Sequence, residues 1–298
     1  MAVPDEKLKQ WAQIGAQSTS KETYATIKLA LESEDAGYHG KAYKVFLQGS
    51  YGNDTNIIKE SDVDVVIRLD SVYYYDITPL PAPQQTAFMA THPAAEYTAR
   101  AFHAHVMELL VERFAGDAVP GTKAVGIKPR NDRRKADVLV AVQHKKFTRF
   151  AAIGDESQVT GLCFFKSDGT KVVNYPMLHR ENLVAKNQET NEWMKHIIRI
   201  FKNARQAMLD QKLLQVGQAP SYFIEGLLYN VPSAKYGGTY SASVVNCINW
   251  LYQADRSAFL CANGQYKLLD DNPDVSWNTK DCDAFLNGLI GLWNNWAT

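Results

Sequence analysis

Asp62 and Asp64 stand two positions apart in the run SDVDVVI, a carboxylate pair set among valines. The β-branched residues make the run a strand, and strand side chains alternate faces. Asp62 and Asp64 therefore share one face while Val63 and Val65 enter the core. Two carboxylates this close repel unless a cation neutralises them. A divalent metal does so, and Mg²⁺ is satisfied by a few carboxylates together with phosphate oxygens and water. A solvated acidic strand face would produce the same pair without any metal.

Two further features bear on that choice. Upstream, Gly49-Ser50 closes the preceding apolar run, AYKVFLQ, with a turn whose backbone amides and hydroxyl can approach a phosphate. Downstream, Asp137 opens the run KADVLVAV and would lie beside the pair if its strand were the neighbour in the sheet. Arg133, Arg134 and Lys135 offer it ordinary ion-pair partners instead. Three carboxylates around two metals beside a phosphate-holding turn are a site for attack of a hydroxyl on a nucleoside triphosphate.

The elements that must carry these residues follow from the hydrophobic pattern. Helix is expected from about Glu6 to Leu31, with a break near GAQSTSKET, then strands at 42–48 and 63–69. DITPLPAPQQ, with three prolines, reads as a loop. Phe102, Val106, Leu109, Leu110 and Phe114 share a helical face that ends near Gly116. Strands follow at KAVGI and KADVLVAV, then a hairpin turning at Ser167-Asp168-Gly169. Trp193, Ile197, Ile200, Phe201, Ala204 and Met208 recur at helical spacing, and the rest reads mostly as helix. The expected fold is α/β (α+β), a mixed sheet in residues 1–180 and a helical C-terminal lobe in 181–298.

Composition narrows the partners. The 298 residues carry no formal net charge, so the overall field gives no reason for tight nucleic-acid binding. No apolar run is long enough to span a membrane, and MAVPDEKLKQ lacks the apolar stretch of a signal peptide. Cys163, Cys247, Cys261 and Cys282 show no C-x-x-C spacing. A reduced, cytoplasmic protein is expected. The histidines show no metal-ligand spacing, and the basic turn Arg130, Arg133, Arg134, Lys135 is accounted for by solvation.

GSYGNDTNIIKESDVDVVI resembles the hG[GS]…Dh[DE]h signature of polymerase-β-like nucleotidyltransferases. More narrowly, Gly49-Ser50-Tyr51, Thr55-Asn56-Ile57 and Ser61-Asp62-Val63-Asp64 resemble the bacterial cGAS/DncV-like nucleotidyltransferases. NYPMLHRENLVAKNQETNEWMKHIIRIFKNAR and APSYFIEGLLYNVP look like the helical lobe of CdnE-like members. The resemblance implies a metal-binding catalytic triad of Asp62, Asp64 and Asp137, and a donor-triphosphate turn at Gly49 and Ser50. It also implies nucleotide-binding roles for Lys202, which would reach the triphosphate, and for Ser221 and Tyr222, which would contact phosphate and stack on the base. Read as residues alone, Lys202 could equally be a solvated helix lysine and Tyr222 a core aromatic.

The activity so implied uses two Mg²⁺ ions, or Mn²⁺ in their place, to join nucleoside triphosphates into a cyclic di- or trinucleotide with loss of pyrophosphate. ATP is the expected substrate, with UTP or GTP as further candidates. The product would activate a separate effector in antiphage defence, without a DNA activator and away from membranes. Three other readings share the motif: modification of a small molecule such as an antibiotic, synthesis of linear oligoadenylates, and a nucleotide-sensing module without catalysis. Base choice would rest with Asn174, Asn182 or Asn187. If Asp137 is not the third carboxylate, Asp70 and Asp132 are next.

Overall fold

The computed structural model describes residues 2–15, 17–59 and 62–296. Contacts divide the chain into two compact units. One is assembled from Met1–Gln17, Gly49–Ser61 and Met177–Thr298, the other from Ser18–Gln48 and Asp62–Pro176. The break at 176/177 lies near the composition change, but the division is not the contiguous 1–180 and 181–298. Helix α1 (Asp5–Trp11) and the motif segment 49–61 group with the C-terminal helices because their apolar and polar side chains are buried there: Leu8 and Trp11 belong to that unit's core, and Thr55 and Asn56 are fully enclosed.

The second unit holds a mixed sheet. Its strands are β1 (Tyr43–Leu47), β2 (Val63–Asp76), β3 (Ala118–Pro120), β4 (Val125–Ile127), β5 (Ala136–Ala152), β6 (Asp155–Phe165) and β7 (Lys171–Asn174). The order is β1-β2-β5-β4-β3, with β6 on β5 and β7 on β6. β2 and β5 run parallel, and the other pairs are antiparallel. Val63, Val65, Ile67 and Leu69 oppose Ala136, Val138, Val140 and Val142 in register, giving one continuous buried face. Helices α2 (Ser18–Leu31) and α5 (Ala99–Phe114) belong to this unit, and all five apolar residues expected on one face of α5 are buried.

Two expectations need correction. β2 continues past Leu69 through the tyrosines to Asp76, with a register shift between Leu69 and Tyr73 that carries the strand across the polar Asp70-Ser71. The proline-rich 76–85 is not wholly loop, because helix α4 (Ala82–Thr91) starts within it, with Pro81 just ahead of it and Pro83 in its first turn. Proline is compatible there because the first-turn amides have no intrahelical acceptor to lose.

The first unit adds the one-turn α3 (Gly49–Gly52), α6 (Pro176–Glu189), α7 (Trp193–Asp210), α8 (Ser221–Tyr229), α9 (Tyr240–Gln253) and α10 (Thr279–Asn294). Ile197, Ile200, Phe201, Ala204 and Met208 of α7 are buried at the expected spacing. Leu227, Leu251 and Phe285 of its neighbours are buried in the same core. All four cysteines are buried and free. Among the described residues no helix is long and apolar enough to cross a membrane.

Candidate active site

In the sheet unit, Asp64 of β2 stands opposite Asp137 of β5 in the parallel register. Asp62 lies just ahead of β2, and Ser61 of the motif lies outside the described residues. Gly126 of β4 faces Asp137 from the other side, where an added Cβ would come within 3.6 Å of its carboxylate. The pairing expected from sequence, an aspartate on each of two adjacent strands, is therefore present.

Lys135 holds this acidic group together. Its ammonium donates to Asp62 Oδ2 and lies 3.9 Å from Asp137 Oδ2. Its pKa is raised, first by the hydrogen bond to Asp62 and then by the charges of Asp137, Asp62 and Asp64. The basic residue next to Asp137 thus acts as counter-ion to the cluster. Arg133 instead pairs with Asp117 at 2.8 Å. Asp70, one of the two reserve candidates, accepts from Arg68 at 2.6 and 3.1 Å.

The donor set suits a hard divalent cation, with carboxylate oxygens on adjoining strand ends and a region already stabilised by positive charge. In the arrangement seen, no three acidic, histidine or cysteine side chains among the described residues converge on one metal position. Asp62 is turned to Lys135, so the residues that could hold a metal are Asp62, Asp64 and Asp137 once that ion pair opens.

The helical unit gathers the other predicted residues. Gly49 begins α3 at φ 63°, a left-handed conformation natural to glycine. Ser50 follows, and its Oγ accepts a hydrogen bond from Lys202 Nζ at 2.8 Å. Lys202, on α7, is fully buried, which removes the solvated-lysine reading. Its ammonium also donates to Thr55 Oγ1 at 3.0 Å and to Glu225 Oε1 at 2.9 Å.

Glu225 is the centre of this network, and sequence reading did not single it out. Besides Lys202 it accepts from Thr55 Oγ1, from Asn53 Nδ2 at 3.0 Å, and from His179 Nε2 at 2.7 Å. Burial alone would raise its pKa. The charge of Lys202, the hydrogen bond and charge of His179 and the bond from Thr55 outweigh that, and the carboxyl lies far below its usual range. A signal was available in FIEGLLY, where one carboxylate interrupts an apolar helix and has to find partners once buried. His179 was set aside for lack of ligand spacing, yet it serves here as a hydrogen-bond donor.

Tyr222 sits one helical turn before Glu225 on α8. One face of its ring stacks on His179, with centroids 4.4 Å apart and planes 20° from parallel. Its hydroxyl accepts from Asn263 Nδ2 at 2.8 Å. The ring is therefore fixed from two sides. Ser221 Oγ lies 3.3 Å from Arg205 Nη1, which also donates to the Ala219 carbonyl at 2.8 Å. Burial lowers the Arg205 pKa to about 10.

The three asparagines separate. Asn182 Nδ2 donates to the Ala262 carbonyl at 2.7 Å, and Asn187 binds Glu192 and the Lys195 amide, so both brace the helical unit. Asn174 closes β7, and its Oδ1 accepts from the Tyr175 amide at 2.8 Å.

The family model for the cGAS/DncV-like nucleotidyltransferase C-terminal helical domain matches residues 181–294. A protein of Rhodothermus marinus named cyclic UMP-AMP synthase is 40% identical over 298 residues, 100% of each chain. Cyclic nucleotide synthase CdnE01 of Staphylococcus haemolyticus is 34% identical, covering 99% of this chain and 100% of that protein. The structure of the R. marinus CdnE c-UMP-AMP synthase with Apcpp and Upnpp superposes with a TM-score of 0.89 at 38% identity, covering 99% of this chain and 98% of that one. The mixed sheet with a helical C-terminal region is the fold of that relative.

Proposed function

The chain belongs to the cGAS/DncV-like nucleotidyltransferases, and from that premise we propose that it joins ATP and UTP into a cyclic dinucleotide with release of pyrophosphate. That it is a nucleotidyltransferase of the cyclic nucleotide synthase kind follows from relatives matched over their whole length. The choice of ATP with UTP is supported by the name of the relative that is 40% identical. The observation that carries the chemistry is the register of Asp64 opposite Asp137 across two parallel strands.

Asp62, Asp64 and Asp137 would hold two Mg²⁺ ions, which Mn²⁺ could replace. When bound, such ions neutralise the carboxylates, favour loss of the attacking hydroxyl's proton and draw charge from the phosphates. Asp137, on its own strand, orients the attacking ribose hydroxyl, while Asp62 and Asp64 serve the donor. The Gly49-Ser50 turn holds the triphosphate. Lys202, bonded to Ser50 Oγ, adds its positive charge to the triphosphate site, and Ser221 adds a second hydroxyl. Tyr222 stacks on the base, its ring held in place by His179 and Asn263. A second transfer in the same site closes the ring, and the product activates a separate effector in antiphage defence.

The test is incubation with each labelled nucleoside triphosphate alone and in pairs, with products resolved after phosphatase treatment. A phosphatase-resistant product from ATP and UTP, abolished by EDTA, is expected. A product with free phosphates would favour a linear synthase, and turnover only with an added acceptor a small-molecule transferase. Full activity in excess EDTA would remove the metal mechanism.

A further inference from the structure

His179 of α6 is 1% exposed, and nothing in the reaction proposed above brings it into contact with substrate. It touches two residues of α8 at once. Its Nε2 donates to Glu225 Oε2 at 2.7 Å, and its ring lies nearly flat against that of Tyr222. Its Nδ1 is buried and has no hydrogen-bond partner among the described residues. A buried ring nitrogen left unsatisfied costs free energy, so hydrogen bonding alone does not account for an imidazole here. What the position gains is a flat face against Tyr222.

The two oxygens of Glu225 divide between the two ends of the donor site. Oε1 accepts from Lys202 and Thr55, and Lys202 is bonded in turn to Ser50 of the triphosphate turn. Oε2 accepts from Asn53 and from His179. Burial opposes the charge on this carboxyl, but Lys202, His179 and Thr55 keep it ionised. An ionised carboxylate only accepts, so the proton of the His179–Glu225 bond sits on Nε2.

An aromatic side chain held by its helix alone can still choose among rotamers. Tyr222 is the second residue of α8 and half-buried, and it is restrained by the imidazole on one face and the Asn263 amide at its hydroxyl. Ordering one loose side chain on binding costs about three- to tenfold in affinity, a cost that preorganisation removes. We propose that His179 is a positioning residue for the donor base. Glu225 fixes the imidazole and the imidazole fixes the Tyr222 ring, so one buried carboxylate sets both the base end and the triphosphate end of the site. This rests on the reading of Tyr222 as the residue that stacks on the base.

Calorimetry on the full-length protein with Mg²⁺ compares Apcpp, the nucleotide analogue held by the R. marinus relative, with inorganic tripolyphosphate, which has no base. His179→Gln keeps a donor towards Glu225 and removes the ring. It should weaken Apcpp binding about three- to tenfold, the cost of ordering one side chain, and leave tripolyphosphate binding unchanged. His179→Phe, which restores a flat ring, should recover most of the loss. In a Tyr222→Ala background His179→Gln should add nothing further, because the two residues act in series. Circular dichroism and a melting curve establish that each variant is folded, and His179→Leu carries the same expectation should His179→Gln fail to fold. Unchanged Apcpp affinity without the ring, equal losses for Apcpp and tripolyphosphate, or additive losses in the double variant would overturn the proposal. Tyr222→Ala without effect on Apcpp would instead overturn base stacking by Tyr222, and the proposal with it.

Discussion

The sheet unit and the helical unit each gather charged side chains around carboxylates, and they balance them in opposite ways. Asp62 and Asp137 are half exposed, with side chains 45% and 39% accessible, and the Lys135 that neutralises them is 50% accessible. Glu225 and Lys202 are sealed, at 2% and 0%. Exposed charges at strand ends are weakly coupled and can exchange one cation for another at little cost. A buried pair cannot exchange partners without leaving a charge stranded in low dielectric. The first arrangement suits a place where ions and phosphates come and go. The second suits a scaffold that must hold Ser50 and Tyr222 at fixed positions.

Breaking the sheet-unit cluster should have the largest effect. Asp64→Asn and Asp137→Asn are each expected to abolish synthesis, a loss at least as large as the roughly 10²–10³-fold caused by removing one preorganised electrostatic group. They should differ in binding. Asp64→Asn weakens Mg²⁺-dependent ATP affinity measured by calorimetry, whereas Asp137→Asn leaves it near wild type. An active Asp137→Asn protein would show that another group is the third carboxylate.

Breaking the helical hub should cost stability. Glu225→Gln leaves Lys202 buried without a counter-charge, which typically destabilises by about 3–5 kcal/mol. Denaturant unfolding measures this, and the double variant Glu225→Gln/Lys202→Met should recover part of the loss. If Glu225→Gln is neutral, the network is not the brace described here.

Acid separates the units further. Burial, reinforced by the charge of Lys171, depresses the pKa of His144 to about 4. The unfolded chain then binds the proton more readily, so stability is highest above pH 6.5 and falls as pH drops towards about 4. The 3% exposure of the residue permits a loss on the order of 3 kcal/mol, from the pKa difference. Glu225 has the same sign in a lower window: its contribution is complete above the ordinary carboxylate pKa and is lost as pH falls below it. Melting curves from pH 7 to 4 should flatten in His144→Phe.

Smaller effects sharpen the contrast. Tyr222→Ala should cost roughly 1–3 kcal/mol of donor-nucleotide binding, the worth of one stacked base, with the fold intact. Lys135→Gln should change least. An exposed ion pair is worth about 0.2–1 kcal/mol, so the Mg²⁺ concentration for half-maximal nucleotide binding should fall by no more than a few-fold. A rise would mean that Lys135 assists the metal rather than standing in its place.

What the sequence determined by itself was local. The period-two run at 63–69 and the helical spacing from Trp193 to Met208 each reflect one face of one element meeting a core, a requirement written in consecutive residues. The Gly-Ser turn and the D-x-D pair were legible for the same reason, since each is a contiguous stretch with its own chemistry. Tertiary structure decided which strand lies beside which, and so that Asp137 faces Asp64. It decided that 49–61 folds with helices far along the chain, because Thr55 and Asn53 find their partner in Glu225 more than 150 residues away. It also turned Lys202 from a surface cation into a buried one. Long-range burial and charge pairing depend on which segments share an interior, and no local pattern of residue types encodes that.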